Sequence, residues 1–162
     1  MNKENLEIER KFLLKKVPKF LAKDVDKFLI HQVYHEINGK IHRFRMTENL
    51  RSQDEDRTYI ECVKTSISHG VFEEIEKEIG QNKFDRMIKK PHRYIIKERT
   101  VYKANGLKWE IDKYHDISLV TLEVELDDIH QKIEVPETIE KEMIAEVTGQ
   151  QVFSNYNLSE EG

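Results

Sequence analysis

Apolar and polar positions alternate along most of the sequence, and this period of two predicts a protein built mainly of β-strands. In the segment SLVTLEVEL, apolar side chains at positions 120, 122, 124 and 126 alternate with Thr121, Glu123 and Glu125. Since successive side chains of a strand point to opposite sides of a sheet, each such segment has one apolar and one polar face. The same alternation occurs in EIERKF, HRFRM, FEEIEKEI, HRYIIKER and LKWEIDK.

Turn signals join these segments into hairpins. Asn38-Gly39 separates HQVYHEI from KIHRFRM, and Asn105-Gly106 separates YIIKERTVYKA from LKWEIDKY. Asn-Gly is the strongest short hairpin signal because both positions accept positive φ. His69-Gly70 lies between two further alternating segments and predicts a third, looser hairpin. Together with the first strand and the strand near position 122, the pattern predicts about eight strands, mostly antiparallel.

Three segments carry helix signals. Residues 18–28 begin with a proline, which suits the first position of a helix. Asn82 can cap a helix that ends near Lys90, before Pro91. Residues 137–147 have apolar side chains at helical spacing, with Gly149 just beyond as a stop. We expect these helices to cover the apolar faces of strands.

The polar faces of the strands are sorted by charge. One such strand would be an ordinary solvated surface strand, but like charges crowded on one strand repel each other. Six of them in one small protein indicate that the charged faces meet across a shared space, where opposite charges or bound ions balance them. The acidic positions are Glu7, Glu9, Glu74, Glu76, Glu78, Glu110, Asp112, Glu123 and Glu125. The basic positions are Lys11, Arg43, Arg45, Lys64, Arg93, Lys97 and Arg99.

Eight antiparallel strands can close into a barrel. We therefore predict an α+β fold, an eight-stranded antiparallel barrel whose charged faces line a tunnel and whose apolar faces lie outside, under the helices. Nothing in the composition suggests a second domain, so we expect residues 1–162 to form one. Clustered carboxylates favour Mg²⁺ or Mn²⁺, whereas arginine and lysine bind phosphate. A site with both kinds of group predicts a complex of metal and polyphosphate.

The overall charge excludes some partners. The chain has 27 basic and 31 acidic residues and a net charge of -4, so it does not have the composition of a uniformly basic nucleic-acid binder. No apolar run is long enough to span a bilayer, and no signal-peptide pattern opens the chain. We expect a soluble, cytoplasmic protein without a membrane or nucleic-acid partner. Cys62 is the only cysteine, which excludes an internal disulfide.

The charged motifs, taken in order, resemble the CYTH superfamily, the triphosphate tunnel metalloenzymes. The segment Glu7-Ile8-Glu9-Arg10-Lys11 matches the E-x-E-x-K signature of that family. The resemblance covers nearly the whole chain, and its further motifs are Arg43 and Arg45 in R-x-R, Lys64, Glu74 and Glu76 in E-x-E, the set Arg93, Lys97 and Arg99, then WEID, LEVEL and VFSNYNL.

The resemblance implies a metal-dependent enzyme that hydrolyses or rearranges triphosphates. It places one metal ion on glutamates of the first and last strands, which here are Glu7, Glu9, Glu123 and Glu125. It assigns phosphate binding to the inward cations, namely Lys11, Arg43, Arg45, Lys64, Arg93, Lys97 and Arg99. Lys11 and Arg43 are also candidate catalytic cations. Glu76 and Asp112 are candidates for holding a second metal ion that activates water. A homodimer packed through an outer face is a further expectation.

Other residues receive structural interpretations. His31 and His35 have the spacing of a helical zinc pair but fall in a predicted strand. Trp109 is expected in the outer core, and Cys62 is expected to line or flank the tunnel without reacting. Residues 48–57 are predicted to form a solvated loop, with a mobile lid as the alternative.

Several functions remain open on the sequence alone. The leading interpretation is an inorganic triphosphatase acting on tripolyphosphate, because the chain is short and shows no nucleoside pocket. A class IV adenylyl cyclase, or a nucleoside or thiamine triphosphatase, is the alternative within the family. A non-catalytic binder of polyphosphate or nucleotides is the remaining interpretation. The inward carboxylates disfavour it, since a binder of an anion alone gains nothing from them.

Overall fold

The computed structural model of the chain describes residues 5–90 and 92–161. The strands in these residues are β1 (Leu6–Leu14), β2 (Val25–Ile37), β3 (Lys40–Asn49), β4 (Arg57–Ser68), β5 (Val71–Glu78), β6 (Arg93–Ala104), β7 (Leu107–Tyr114), β8 (Val120–Leu126), β9 (Met143–Glu146) and β10 (Glu160–Glu161). The helices are α1 (Gln81–Lys89), α2 (Glu137–Glu140) and α3 (Asn155–Leu158), and 3-10 turns lie at Ala22–Asp24 and Gln151–Phe153.

Eight of these strands close into an antiparallel barrel, which confirms the predicted fold. Their order is β6-β2-β3-β4-β5-β1-β8-β7, and β7 pairs again with β6. Only the first residues of β1, namely Leu6, Glu7 and Ile8, pair with β5. β9 pairs with the same edge of β1 further along the strand. β10 pairs with the start of β6. The ladders therefore leave little unpaired backbone around the barrel.

The Asn-Gly pairs form the predicted hairpin turns. Asn38 and Asn105 have φ angles of 51° and 54°, and the glycine after each also has a positive φ. Two positive φ angles match the type I′ turn, whose twist suits the flanking strands. Gly70 turns the β4–β5 hairpin, and a Cβ at this position would lie 2.9 Å from the carbonyl oxygen of Glu9. Glycine thus lets this turn pack closely on β1.

The apolar strand faces point outward and form two cores. The core on β1, β7 and β8 includes the fully buried Trp109, together with Ile139 of α2. The other core lies between β2, β3 and α1, where Phe84 of the helix joins Val33 and Phe44. Helices therefore cover outer faces, as the sequence predicts, and Trp109 lies in the outer core. Within the described part of the chain, no helix is long and apolar enough to cross a membrane.

One of the three predicted helices is confirmed, and the other two are largely wrong. The helix at 82–90 corresponds to α1, while Pro91, its predicted stop, lies outside the described residues. Residues 18–28 contain only the 3-10 turn Ala22–Asp24, because β2 begins at Val25 and pairs with β6 from its first residue. Residues 137–147 are helical only over Glu137–Glu140. The next residues form β9, because the edge of β1 that β5 leaves open offers backbone hydrogen bonds there.

Candidate functional site

The charged strand faces line a tunnel inside the barrel, with a cavity of about 170 Å³. Lys108 and Asn155 also line it, although the sequence analysis did not single them out. The predicted residues in its wall are Glu7, Glu9, Arg43, Arg45, Lys64, Glu74, Glu76, Arg99, Glu110, Glu123 and Glu125.

A larger cavity of about 720 Å³, here called the chamber, adjoins the tunnel. The two cavities share the side chains Glu9, Arg43, Lys64, Glu123 and Asn155. Lys11 and Cys62 line the chamber only. The chamber also has an aromatic and amide lining formed by Tyr34, Phe72, Phe153, Tyr156, Gln150, Gln151 and Asn157. A molecule could therefore have a charged part in the tunnel and an uncharged part in the chamber.

Carboxylates crowd one side of the tunnel. Burial and the charges of Glu74 and Glu125 raise the pKa of Glu7 to about 8. Burial and the charge of Glu123 raise the pKa of Glu9 to about 7, although nearby lysines act in the opposite direction. The negative charge of these groups is thus poorly balanced within the protein. A cation between them would stabilise it.

Lys64 lies among these carboxylates. Its Nζ donates to Glu9 Oε1 over 3.0 Å and lies 3.6 Å from Glu74 Oε1. Burial alone would lower the pKa of Lys64, but Glu9, Glu123 and Glu74 raise it to about 12. Lys64 is therefore a fixed positive charge at the place where the tunnel meets the chamber.

Lys11 lines the chamber and contacts a carboxylate of the tunnel wall. Its Nζ lies 3.4 Å from Glu123 Oε1 and donates to the carbonyl oxygen of Phe153 over 2.6 Å. Burial would raise the pKa of Glu123, but Lys11, Lys64 and Lys97 lower it to about 2. Glu123 is therefore ionised at neutral pH.

Arginines on β3 and β6 carry the positive charge of the tunnel. Arg45 Nε donates to Oε1 of the buried Gln32 over 2.8 Å. Burial and the charges of Arg43 and Arg99 lower the pKa of Arg45 to about 10. Arg43 Nη2 lies 3.7 Å from Glu76 Oε1, and Arg43 Nε is buried with no hydrogen-bond partner among the described residues. An anion would stabilise two such cations, which repel each other and of which Arg43 has a donor without an acceptor among the described residues.

Asp112 is the counter-ion of two buried cations. Arg99 donates from Nε to Oδ1 over 2.8 Å and from Nη2 to Oδ2 over 2.9 Å, and Lys97 Nζ lies 2.8 Å from Oδ2. Lys97 and Asp112 are 0% and 1% exposed. Burial would raise the pKa of Asp112, but Arg99 and Lys97 hold it far below its usual range. Both oxygens of Asp112 are thus already bonded to cations, and its role as a metal ligand stays a prediction.

Four of the predicted charged residues line neither of these cavities, namely Lys97 and Asp112, which form the buried ion pair described above, and Arg93 and Glu78. Arg93 donates from Nε to Ser159 Oγ over 2.9 Å, and its guanidinium lies 5.3 Å from the ring centre of Tyr156. Arg93 therefore holds the C-terminal segment. Glu78 is exposed near the end of β5. Their predicted inward charges do not contribute to the walls of the tunnel or the chamber.

The acidic residues of β1 and β8 suit a divalent cation. In the register of these strands, Glu9 pairs with Glu125, and Glu123 pairs with Lys11. Glu7 interacts with Glu125, as its raised pKa shows. All these donors are carboxylate oxygens, which favour Mg²⁺ or Mn²⁺. The donor chemistry and the unbalanced negative charge both fit the predicted metal ion.

A second acidic group surrounds Cys62. Its sulfur and carboxylate oxygens of Glu74 and Glu76 lie within 4.8 Å of one another. Burial raises the pKa of the Cys62 thiol to about 11, so it is protonated at neutral pH. Because a thiol binds metal as the thiolate, this group fits a metal ion less well than the glutamates of β1 and β8.

The wall of the site contains polar residues that the sequence analysis missed. Lys108 shares a strand face with Glu110 and Asp112, so strict alternation in LKWEIDK would have identified it. Gln32 lies on β2, where both faces are largely uncharged, and no local pattern marks it. Asn155 lies outside the barrel strands, in the motif VFSNYNL, to which the sequence analysis assigned no role.

His31, His35 and residues 48–57, to which the sequence analysis gave no catalytic role, make ordinary structural contacts. His31 and His35 lie on β2 and face α1: the ring of His31 is 5.6 Å from that of Phe84, and His35 Nε2 is 2.8 Å from the carbonyl oxygen of Met87. The zinc-pair interpretation is thus rightly set aside. At 48–57, Arg57 and Glu48 form an ion pair of 2.8 Å across the end of the β3–β4 hairpin.

Comparison with solved structures gives chains of similar fold. A conserved hypothetical protein from Pyrococcus furiosus is 23% identical with a TM-score of 0.52, over 83% of this chain and 84% of that chain. The PH1819 protein from Pyrococcus horikoshii is 18% identical with a TM-score of 0.55, over 83% and 85%. HpAC1 from Hippeastrum, an adenylyl cyclase candidate described with a dominant triphosphatase activity, is 17% identical with a TM-score of 0.47, over 75% and 80%.

The likenesses to the two Pyrococcus proteins establish the fold, and the barrel agrees with the one that the CYTH resemblance implies. Neither a protein-family model nor a curated protein matches the sequence. At 23% identity and below, the activity has to be argued from the site itself.

The raised pKa values of Glu7 and Glu9 predict that the metal-free protein loses stability as pH rises from about 5 to 7. Between the ordinary value of 4.5 and the folded-state values of about 8 and 7, the folded protein keeps protons that the unfolded chain has lost. The free energy of unfolding therefore decreases with pH over this window. Melting temperatures in EDTA at several pH values would measure the slope. Mg²⁺ should raise the melting temperature more at pH 7 than at pH 5, because metal ligands must be deprotonated.

The control for this prediction is the double variant Glu7→Gln, Glu9→Gln. All other titratable groups are the same in both proteins, so the difference between the two slopes isolates the two glutamates. An identical slope in the double variant would contradict the prediction.

Proposed function

We propose that this protein is a divalent-metal-dependent triphosphatase that binds a triphosphate in the tunnel. One observation carries the proposal: the tunnel has two unbalanced charge clusters side by side. Glu7 and Glu9 repel neighbouring carboxylates, while Arg43 and Arg45 repel each other and Arg43 Nε has no acceptor in the part of the chain that the structure describes. A complex of metal and polyphosphate supplies the cation and the anion together.

In the proposed reaction, water attacks the terminal phosphorus of the triphosphate. The bond from that phosphorus to the bridging oxygen breaks, diphosphate leaves, and one proton is released to solvent. Lys11, Lys64, Arg43 and Arg45 would hold the phosphate oxygens and stabilise the charge that moves onto the leaving group. A divalent ion held by Glu7, Glu9, Glu123 and Glu125 would neutralise further phosphate charge and promote deprotonation of water.

Inorganic tripolyphosphate is the first candidate substrate, because it needs only the charged groups of the tunnel and Lys11, and none of the uncharged lining of the chamber. The balance of charges in the tunnel disfavours a protein that binds phosphate without catalysis. A simple anion binder would be weakened by Glu9 and Glu123, which lie on the same wall as the phosphate-binding cations.

The chamber favours a second candidate, an organic triphosphate such as a nucleoside or thiamine triphosphate. Its volume of about 720 Å³ lies in the range of small-molecule sites. Tyr34, Phe72 and Tyr156 could contact a planar ring, while Lys64 and Arg43, which the chamber shares with the tunnel, hold the phosphates. In a cyclisation of ATP, the ribose 3′-hydroxyl would attack the α-phosphorus, the bond from that phosphorus to the bridging oxygen would break, and diphosphate and one proton would leave.

One assay tests the function and separates these substrates. The purified chain with Mg²⁺ or Mn²⁺ is offered tripolyphosphate, ATP and thiamine triphosphate, and phosphate, diphosphate and cyclic AMP are measured. We expect metal-dependent release of phosphate from tripolyphosphate. Preferential turnover of an organic triphosphate would favour the second candidate, and accumulation of cyclic AMP would identify a cyclase. Tight binding with no turnover of any of them would refute the triphosphatase.

A further inference from the structure

The buried arginines of the tunnel differ in what balances their charge. Arg99 donates to both oxygens of Asp112 and, from Nη1, to Glu110 Oε2 over 3.0 Å. Arg43 has Glu76 Oε1 at 3.7 Å. Arg45 is bonded to the neutral amide of Gln32, and no carboxylate of the described residues forms an ion pair with it. Arg45 is thus held in place without being neutralised.

Gln32 is itself fixed at both ends of its amide. Oε1 accepts the hydrogen bond from Arg45 Nε over 2.8 Å, and Nε2 donates to the hydroxyl of Tyr34 over 2.8 Å. Gln32 is 0% exposed, so water does not compete for these bonds. Because a guanidinium can only donate, Arg45 selects the amide orientation that turns the oxygen towards it, and the Tyr34 hydroxyl accepts from the nitrogen at the other end.

Other side chains of similar size could not do both tasks. A carboxylate at position 32 would form an ion pair with Arg45 and so compete with phosphate oxygens for the guanidinium. An apolar side chain would leave Arg45 Nε buried without an acceptor, which costs free energy and lets the guanidinium seek another partner. The amide orients the arginine and leaves its positive charge available.

We infer that Gln32 is a positioning residue of the phosphate site, which with Tyr34 holds the Arg45 guanidinium ready for a phosphate group while leaving its charge uncancelled. This inference rests on the proposed function, since it assumes that the tunnel binds phosphate. It assigns a role to two residues outside the charged motifs. Tyr34 also lines the chamber and contacts the ring of Tyr156 at 5.5 Å. Arg45 is thereby connected to the chamber wall.

The decisive variant is Gln32→Glu, which changes the charge at position 32 and almost nothing of the size. We expect its melting temperature without ligand to equal or exceed that of the unchanged protein, because Arg45 gains a counter-ion. We expect its Kd for tripolyphosphate with Mg²⁺, measured by calorimetry, to rise about tenfold or more, as does its KM. A merely structural role of Gln32 would move stability and binding in the same direction.

One further variant keeps the inference testable if Gln32→Glu fails to fold, and another serves as the control. Tyr34→Phe keeps the ring and removes the acceptor of Gln32 Nε2, so the Kd for tripolyphosphate should rise about threefold or more while the melting temperature changes little. Gln81→Glu makes the same chemical change on the exposed start of α1 and should leave Kd and KM unaltered.

The possible results separate the inference from the proposed function. Unchanged protein that binds tripolyphosphate, together with Gln32→Glu or Tyr34→Phe variants that bind it equally well, would overturn the role of Gln32 alone. Unchanged protein that binds no tripolyphosphate and no organic triphosphate would overturn the proposed function and this inference with it.

Discussion

Replacing Glu9 by glutamine should abolish metal-dependent turnover while the barrel stays folded. Glu9 lies beside Lys64 and Glu123 in the wall shared by the tunnel and the chamber. Its raised pKa shows that its charge is disfavoured in the metal-free protein, so its removal should not cost stability. The lost ligand should instead weaken metal binding and reduce kcat by about 10²-fold or more. Initial rates across a Mg²⁺ titration, with melting temperature measured alongside, would check both expectations.

A matched control for this variant is Glu98→Gln, which makes the same change on the outer face of β6, in register with Leu29. It should keep the rate and the metal dependence of the unchanged protein. Full activity in Glu9→Gln would refute the metal assignment. Inactivity with a melting temperature far below that of the unchanged protein would instead make Glu9 a structural residue, since Lys64 would then depend on it for its charge balance.

Alternation made the barrel and most of its charged wall predictable from the sequence. A strand has a side-chain period of two, so the assignment of Glu7, Glu9 and Lys11 to one face needs no tertiary information. The Asn-Gly turns then fix the register of the hairpins, as Asn38 and Asn105 show. These local signals together specify which charges meet inside, because closing the sheet leaves the polar faces a single shared space.

The failed helix predictions show where local signals are insufficient. Residues 137–147 have helical spacing, yet Met143–Glu146 is a strand because β1 has an open edge beside it. That edge exists only because β5 stops pairing at Ile8, which no pattern near residue 143 can report. Gln32 was missed for a related reason. Its importance comes from the charged groups that the closed barrel brings next to it, and it does not belong to a charged strand face.

Replacing Asp112 by asparagine should cause the largest loss of stability among the predicted variants. Asp112 is the shared counter-ion of Lys97 and Arg99, and all three side chains are buried. Removing one partner of a buried ion pair costs about 3–5 kcal/mol, because the other charge is left unbalanced. For a protein of this size that corresponds to a fall in melting temperature of roughly 10 °C. Thermal unfolding in EDTA would measure it.

The pH dependence of this loss identifies its origin. Burial already lowers the pKa of Lys97 to about 7 from its ordinary value of 10.5, and loss of Asp112 should lower it further. Just below pH 7 the folded variant then binds fewer protons than the folded unchanged protein, so the stability lost on substitution should shrink as pH rises towards about 7 and change little above it. Glu110→Gln, which removes only the partly exposed partner of Arg99, should cost far less. An Asp112→Asn variant that keeps full stability but loses metal affinity would show that Asp112 serves a metal ion and not the two cations.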